Sequence, residues 1–256
     1  MPKLTLPSVT AAGAAARRAL IGVPRSVADR AGPLFGRVAG SPDRRLALER
    51  YRTLADTYEL RTIAGDPLRR LIVDRLAPEP GEIVLDVGCG TGLNFAPMED
   101  AIGPRGRLIG IDPSPEMLAL ARARTDRAGW RNVLLVQAGA EEADVQMTAD
   151  AALLCAVHDV MRSPAALGNV LRQLRDGGRI VAGGAKWAPW WRPGSVALNL
   201  STWSINRDYV TSFEGFDRPW SHLARLVPDL SVEELYLGAG YIASGTRPCT
   251  GGRRHT

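Results

Sequence analysis

The stretch Ile83-Val84-Leu85-Asp86-Val87-Gly88-Cys89-Gly90-Thr91-Gly92-Leu93-Asn94-Phe95 changes its residue pattern twice. Residues 83–87 are mostly branched and apolar, which predicts a short strand buried on both faces of a sheet. Glycine then alternates with other residues, so the backbone can turn sharply and a ligand can lie against it. From about Asn94 the apolar residues recur at helical spacing. Strand, glycine turn and helix in this order predict a nucleotide-binding turn.

The spacing of the glycines distinguishes between classes of nucleotide. A dinucleotide-binding turn has two residues between its second and third glycines, and that spacing places Leu93 where glycine is needed. The pattern here is instead Gly-x-Gly-x-Gly, with Asp86 inside the end of the preceding strand. We therefore expect a nucleotide-like cofactor other than a nicotinamide dinucleotide.

Residues 84–92 resemble the first motif of the class I S-adenosylmethionine-dependent methyltransferases. The resemblance implies that the loop contacts the methionine part of the cofactor, and that Asp86 holds either the ammonium group or the loop itself. The alternative is a glycine-rich turn between a strand and a helix that binds no cofactor. The loop residues implied by the resemblance are Gly88, Cys89, Gly90, Gly92 and Asn94.

The second predicted strand, residues 107–112, ends in an acid. Open α/β sheets bind ligands at the carboxyl ends of their strands, and a carboxylate there can accept hydrogen bonds from both hydroxyls of a ribose. Asp112 is therefore a candidate for that contact. Ser114 is expected to cap the next helix. In the resembling family, the residue after this acid and a residue further along the next helix flank the adenine. The resemblance therefore implies that Pro113 and Met117 flank the adenine here.

The third predicted strand, residues 133–137, leads to a departure from the family pattern. The resembling enzymes usually carry an aspartate where this chain has Gly139, and that aspartate receives the adenine amino group. Since Gly139 has no side chain, the resemblance leaves the adenine contact to the backbone of Ala140 and to Glu141.

The fourth predicted strand, residues 150–157, is followed by His158. A histidine beside the expected methyl-transfer site can take a proton near neutral pH, so His158 is the catalytic candidate. The alternative is a histidine that shapes the pocket or bonds to backbone. Ser163 should cap a helix over residues 164–175, and residues 179–183 predict the fifth strand.

Two regions outside the central strands are rich in aromatic residues. Residues 43–62 predict a helix, and in the resembling family such a segment closes over the methionine end of the cofactor, which implies Tyr58. The alternative is an aromatic stripe in the core. Five of the six tryptophans fall in residues 186–220, here called the aromatic segment, which we expect to roof the acceptor pocket. Packing between cap helices is the alternative. The candidate pocket walls are Trp190, Trp191, Trp203 and Trp220.

The charge is concentrated at the N-terminus. Residues 1–42 hold six basic residues and one acid, which accounts for the whole net charge of +5, so the rest of the chain is balanced. We predict a basic arm at 1–42, a methyltransferase domain at 43–247 and a loose tail at 248–256. The arm could touch a membrane surface or a partner, fold over the active site or remain poorly ordered. An organellar transit peptide has a similar composition.

Cysteine usage and hydropathy indicate the compartment. The three cysteines show no CxxC spacing, so we expect neither a disulfide framework nor a metal site. No apolar run approaches the roughly 20 residues that span a bilayer. We therefore predict a cytoplasmic chain, and the sequence leaves its oligomeric state open.

Together these patterns predict an α/β fold: a Rossmann-like, seven-stranded, mostly parallel sheet with helices on both faces, and an aromatic-rich cap before a final hairpin. The resemblance is to the bacterial group around the quinone C-methyltransferases and phospholipid N-methyltransferases. It implies S-adenosylmethionine as cofactor and a small hydrophobic or amphiphilic acceptor, such as a lipid, a quinone-like compound or a secondary metabolite.

Two other functions remain as alternatives. One is a non-catalytic scaffold that binds S-adenosylmethionine. The other is a nucleic-acid methyltransferase, which is disfavoured because no Asn/Asp-Pro-Pro-aromatic motif follows the fourth strand, Cys155 has no preceding proline and the body of the chain is neutral. We therefore expect no nucleic-acid partner.

Overall fold

The computed structural model describes residues 43–54, 58, 62 and 65–249, so the predicted arm and residues 250–256 of the predicted tail lie outside the described residues. The helices are α1 (Arg44–Leu54), α2 (Asp66–Leu76), α3 (Phe95–Ile102), α4 (Pro115–Ala128), α5 (His158–Met161), α6 (Pro164–Gln173), α7 (Ser195–Asn206) and α8 (Leu223–Leu226). The strands are β1 (Ile83–Val87), β2 (Arg107–Asp112), β3 (Val133–Gln137), β4 (Ala149–Cys155), β5 (Leu174–Ala185), β6 (Ser231–Leu235) and β7 (Gly240–Thr246).

All seven strands belong to one sheet in the order β3-β2-β1-β4-β5-β7-β6. The first five strands run parallel, and β7 runs antiparallel to both β5 and β6. This confirms the predicted seven-stranded, mostly parallel sheet. The chain leaves β1 toward β2 and β3 and later returns to β4 on the other side of β1. The glycine turn after β1 therefore lies at the switch point where such sheets bind ligands.

Strand β1 is buried on both faces, as its composition predicts. Leu85 and Val87 pack on one side of the sheet with residues of α6, and Val84 packs on the other with residues of α2 and α3. Because successive side chains of a strand point to opposite faces, a strand between two helical layers must be apolar at nearly every position. The helical residues that cover β1 include Leu167 and Val170 on one face and Ile72, Phe95 and Met98 on the other.

Several predicted boundaries are wrong by a few residues. Strand β4 ends at Cys155, before the predicted Val157, because Ala156 takes a left-handed backbone conformation with φ 58°. Helix α6 stops at Gln173 because Leu174 already pairs with Ala149 in the sheet. The predicted caps are confirmed: the side chain of Ser114 accepts from the Met117 N–H, and that of Ser163 from the Ala166 N–H.

The aromatic segment forms no regular strand, in agreement with its prolines and glycines. It is tied to the β6–β7 turn by Lys186, which is buried and donates to the carbonyl oxygens of Trp187 (2.9 Å) and Gly238 (3.1 Å). The same ammonium lies 3.1 Å from a carboxylate oxygen of Glu234. Trp187 packs with Val210 and Phe216 in a small separate core. Within the part of the chain that the structure describes, no helix is long and apolar enough to cross a membrane.

Candidate functional site

A cavity of about 280 Å³ opens at the carboxyl ends of β1, β2 and β4. It brings together nine of the residues predicted for the site. Behind it, and not in its lining, lie Asp86, Cys89, Gly92 and Asn94. The predicted residues in the lining are Tyr58, Gly88, Gly90, Asp112, Pro113, Met117, Ala140, Glu141 and His158.

The glycine turn borders the cavity with its backbone. Gly88, Gly90 and Gly92 all have positive φ, at 70°, 53° and 76°, which favours glycine at each position. A Cβ built on Gly90 would meet no atom within 4 Å, so open space lies beside this residue. The turn is fixed to β2 because the Gly88 N–H donates to the carbonyl oxygen of Ile111 (2.7 Å).

Asp112 joins the end of β2 to this turn. One carboxylate oxygen accepts from the Gly90 N–H and the other from the Ser114 N–H, each at 2.9 Å. Burial raises the pKa of Asp112 to about 6, against the lowering effect of these two hydrogen bonds. Each oxygen of a carboxylate can accept a second hydrogen bond, so Asp112 can still receive a pair of hydroxyl groups from the cavity side.

Asp86 is fully buried beneath the turn. Both of its oxygens lie 3.1 Å from the side-chain amide nitrogen of Asn94, at the start of α3. Burial raises the pKa of Asp86 to about 7, and the hydrogen bond from Asn94 partly offsets that rise. The resemblance implies that Asp86 holds either the ammonium group of the cofactor or the loop. In this structure Asp86 holds the loop, through Asn94.

Three tyrosines, Tyr51, Tyr58 and Tyr209, form a second part of the lining, here called the tyrosine end. The ring of Tyr58 meets those of Tyr51 and Tyr209 edge to face, with centroids 6.3 Å and 5.6 Å away. The Tyr51 hydroxyl donates to the carbonyl oxygen of Tyr209 (3.2 Å), and Arg50 Nη1 donates to that of Val210 (2.6 Å). Sequence reasoning named Tyr58 but missed Tyr209 and Val210 in the lining, because only the fold brings α1 to residues 209–210.

His158 begins the short helix α5 and is buried. Its Nε2 lies 3.0 Å from the carbonyl oxygen of Glu214, which can only accept, so Nε2 carries the hydrogen. Nδ1 is then an acceptor, and among the described residues it has no hydrogen-bond partner. Burial lowers the pKa of His158 to about 4, so the imidazole is neutral and weakly basic at pH 7.

The structure does not bring the four predicted tryptophans to the cavity. Trp190, Trp191 and Trp203 are exposed to solvent, and Trp220 packs against Tyr241 with ring centroids 5.2 Å apart. For Trp203 the reason lies in α7, where Asn199 faces the protein and hydrogen-bonds the backbone of Ala188. Val196, Leu200 and Trp203 are consequently exposed, and tyrosines line the cavity where tryptophans were expected.

Comparison with known proteins identifies the kind of domain. Residues 84–178 match the family described as "Methyltransferase domain". The chain is 40% identical over 75 residues to aklanonic acid methyltransferase DauC of a Streptomyces species, covering 29% of this chain and 34% of that protein. It is 27% identical over 182 residues to the demethylmenaquinone methyltransferase of Symbiobacterium thermophilum, covering 64% and 69%. The chain spans less than half the length of the first curated relatives it matches.

Solved structures show the same fold. The N-methyltransferase NodS from Bradyrhizobium japonicum, in complex with S-adenosyl-L-homocysteine, superposes with a TM-score of 0.55 at 18% identity. The match covers 80% of this chain and 99% of that protein. The family match confirms the resemblance drawn from residues 84–92, and the structural likeness confirms the predicted fold.

Proposed function

We propose that this protein methylates a small hydrophobic or amphiphilic molecule. The premise is that the chain contains a class I methyltransferase domain whose cofactor is S-adenosylmethionine. Residues 43–247 would form the catalytic domain, with residues 1–42 and 248–256 outside it. The observation that carries the proposal is the pairing of Asp112 with Gly90 in a cavity that three tyrosines also line.

The residues around Gly90 and Asp112 fit S-adenosylmethionine. The open space beside Gly90 leaves room for a ligand to lie against the backbone, which a side chain would fill. Asp112 has acceptor capacity left for two ribose hydroxyls. Pro113, Met117 and Ala140 line the neighbouring part of the cavity, where a flat base would be enclosed mainly by apolar atoms.

Asp86 adds a second feature that suits this cofactor. A buried carboxylate whose hydrogen-bond partner is a neutral amide gains from a positive charge placed nearby. An amino acid group bound above the glycine turn would supply one through its ammonium. We expect cofactor binding to lower the pKa of Asp86 from its value of about 7.

When bound, S-adenosylmethionine supplies an activated methyl group on a sulfonium centre, and holding the acceptor in line with it is the main task left to the protein. The three tyrosines exclude water from this end of the cavity and offer aromatic faces to a flat or greasy acceptor. His158 also lines the cavity and is held by its hydrogen bond to the backbone of Glu214, so its ring would shape the wall that the acceptor meets.

The class of acceptor draws support from two relatives. Both are named for small molecules, namely aklanonic acid and demethylmenaquinone. The apolar character of the tyrosine end is consistent with acceptors of that size and polarity. We propose that the acceptor is a small molecule of this kind: a lipid, a quinone-like compound or a secondary metabolite.

Calorimetric titration and a methyl-transfer assay test the proposal together. We expect S-adenosylmethionine and S-adenosylhomocysteine to bind and NAD not to bind, because Leu93 replaces the third glycine of a dinucleotide turn. Transfer of a radiolabelled methyl group is then measured with quinones, hydroxyaromatic acids, phospholipids and RNA. Tight binding of NAD without binding of S-adenosylmethionine would overturn the assignment, and cofactor binding without transfer to any class would favour the scaffold.

A further inference from the structure

Helix α7 presents its apolar residues to solvent. Val196, Leu200 and Trp203 are 73%, 53% and 39% exposed, and their spacing places them on one face of the helix. The adjacent side of the helix, which packs on the protein, carries Ser195 and Thr202. An ordinary surface helix has the reverse arrangement, with its apolar stripe toward the core.

This orientation is held by specific hydrogen bonds. The amide of Asn199 accepts from the Ala188 N–H (2.8 Å) and donates to the Ala188 carbonyl oxygen (3.1 Å). Ser195 Oγ donates to the carbonyl oxygen of Trp190 (2.9 Å), which fixes the preceding turn against the first residue of the helix. Rotation of α7 to bury its apolar stripe would break all three bonds. The exposed stripe is therefore a built feature of the fold.

The turn before α7 adds two exposed aromatic residues, Trp190 and Trp191. We name these two tryptophans together with Val196, Leu200 and Trp203 the docking face. Exposed apolar side chains gathered in this way mark interaction sites, whereas single ones do not.

The neighbouring β6–β7 turn is strained. Tyr236 and Leu237 have φ of 50° and 56° although neither is glycine, and both side chains are exposed. At Gly238 this turn reaches the residues just before the docking face, because a Cβ on Gly238 would lie 2.7 Å from Cδ of Pro189, the residue before Trp190. A backbone that holds two large apolar side chains in water at a conformational cost is typical of a functional surface.

The charges around the docking face are positive. Residues 186–207 contain no acidic residue. Arg192 lies 5.3 Å from the ring centroid of Trp191, and Arg207 lies 4.8 Å from that of Trp203. Asp208, the nearest acid along the chain, is paired with Arg207, and Glu234 of β6 is paired with Lys186. An occupant with negative charge at the edges of an apolar contact is therefore favoured.

We propose that the docking face binds the surface of an anionic lipid bilayer, with the tryptophans at the level of the head groups and Arg192 and Arg207 against lipid phosphates. Tryptophan beside arginine is the residue combination that favours the boundary between water and hydrocarbon. A second copy of this chain fits less well. A two-fold contact would oppose Arg192 to its own copy across the interface, and residues 186–207 contain no carboxylate to neutralise that charge.

Sedimentation of the full chain with lipid vesicles tests the proposal. The probe is vesicles of equal phosphatidylcholine and phosphatidylglycerol, with pure phosphatidylcholine vesicles beside them. The docking variant is Leu200→Gln with Trp203→Gln. The matched control is Leu71→Gln with Leu134→Gln, because these leucines are similarly exposed, at 44% and 41%, on other elements. A thermal melt and an S-adenosylmethionine titration show whether each variant is folded.

We expect the unaltered chain to sediment with the anionic vesicles and less with the neutral ones. The docking variant should bind at least about tenfold more weakly through the loss of buried apolar area, and the control should bind as the unaltered chain does. Equal binding by both variants would overturn the proposal and assign binding to another surface, such as residues 1–42. Absence of binding by the unaltered chain would also overturn it.

Light scattering of the same proteins distinguishes the other occupant. A dimer of the unaltered chain that becomes a monomer in the docking variant would overturn the proposal in favour of a second copy. The inference does not rest on methyl transfer, since its readout is vesicle binding. A failure of the proposed function would instead appear in the S-adenosylmethionine titration and the methyl-transfer assay.

Discussion

The two ends of the cavity are assembled in different ways. At the glycine end, Gly90 and Asp112 are 22 residues apart and belong to consecutive elements of the sheet. At the tyrosine end, Tyr51 and Tyr209 are 158 residues apart and meet only because the aromatic segment folds back over α1. The first end depends on backbone geometry that a short motif encodes, and the second depends on packing that the whole fold supplies. Each end should therefore respond to a different kind of substitution.

The largest effect should come from the packing beneath the tyrosine end. Trp187 is buried and packs with Val210, which lines the cavity. Trp187→Ala should lower the free energy of unfolding by about 3–5 kcal/mol, as truncation of a buried aromatic residue does. Trp203→Ala on the exposed face of α7 is the control and should change stability by less than about 1 kcal/mol. Denaturant unfolding measures both, and equal losses would contradict the separation of core from surface tryptophans.

The next effect tests the backbone of the glycine end. Gly90→Ala should weaken S-adenosylmethionine binding by up to about 3 kcal/mol, because the new Cβ occupies the space beside the turn. Gly129→Ala is the matched control: Gly129 also has positive φ, at 73°, and an open Cβ position, but it ends α4 and is absent from the cavity lining. Both variants should lose similar stability from backbone strain. Calorimetry that finds equal cofactor affinities in the two would place the cofactor elsewhere.

A smaller effect is expected from the charge at Asp112. Asp112→Asn keeps one acceptor oxygen but loses the negative charge, so S-adenosylmethionine affinity should fall by about 1–2 kcal/mol. In the unaltered protein the same affinity should fall as the pH drops below about 6, where the Asp112 carboxylate takes up a proton because burial has raised its pKa. Asp112→Asn should lose the fall in affinity near pH 6 and keep the fall near pH 7 that comes from Asp86, whose pKa is about 7. A fall near pH 6 that persists in the variant would assign that titration to another group.

The smallest effect at neutral pH should come from His158. Burial lowers its pKa to about 4, so the unfolded chain binds the proton more tightly than the folded one, and stability falls as the pH drops from 6.5 toward 4. At pH 7 the imidazole is mostly neutral in both the folded and the unfolded chain, so this loss of stability is absent. NMR titration of the imidazole, assigned with His158→Gln, should give a midpoint near 4. A midpoint near 6.5 would mean that His158 is solvated and can act as an ordinary base.

The sequence was most informative where neighbouring residues decide the structure. The bounds of β1, β2 and β3 and the caps at Ser114 and Ser163 follow from local pattern, and all were predicted. The end of α6 was not predicted correctly, because pairing of Leu174 with Ala149 ends a helix that the local residues would continue. Trp203 was misplaced for a similar reason: the number of tryptophans indicates an aromatic surface, but the hydrogen bonds of Asn199 decide which way α7 faces.

Arg207 connects the docking face with the wall of the cavity. Its side chain lies over Trp203 on the docking face, and its carbonyl oxygen accepts from Nη1 of Arg50, the residue that also bonds Val210 at the cavity wall. A shift of α7 on contact with a surface would therefore reach the closure between α1 and residues 207–210. Thermodynamic linkage then requires that any influence of the surface on cofactor affinity be matched by an equal influence of the cofactor on surface affinity. Filling the cavity would in that case regulate where in the cell the protein resides.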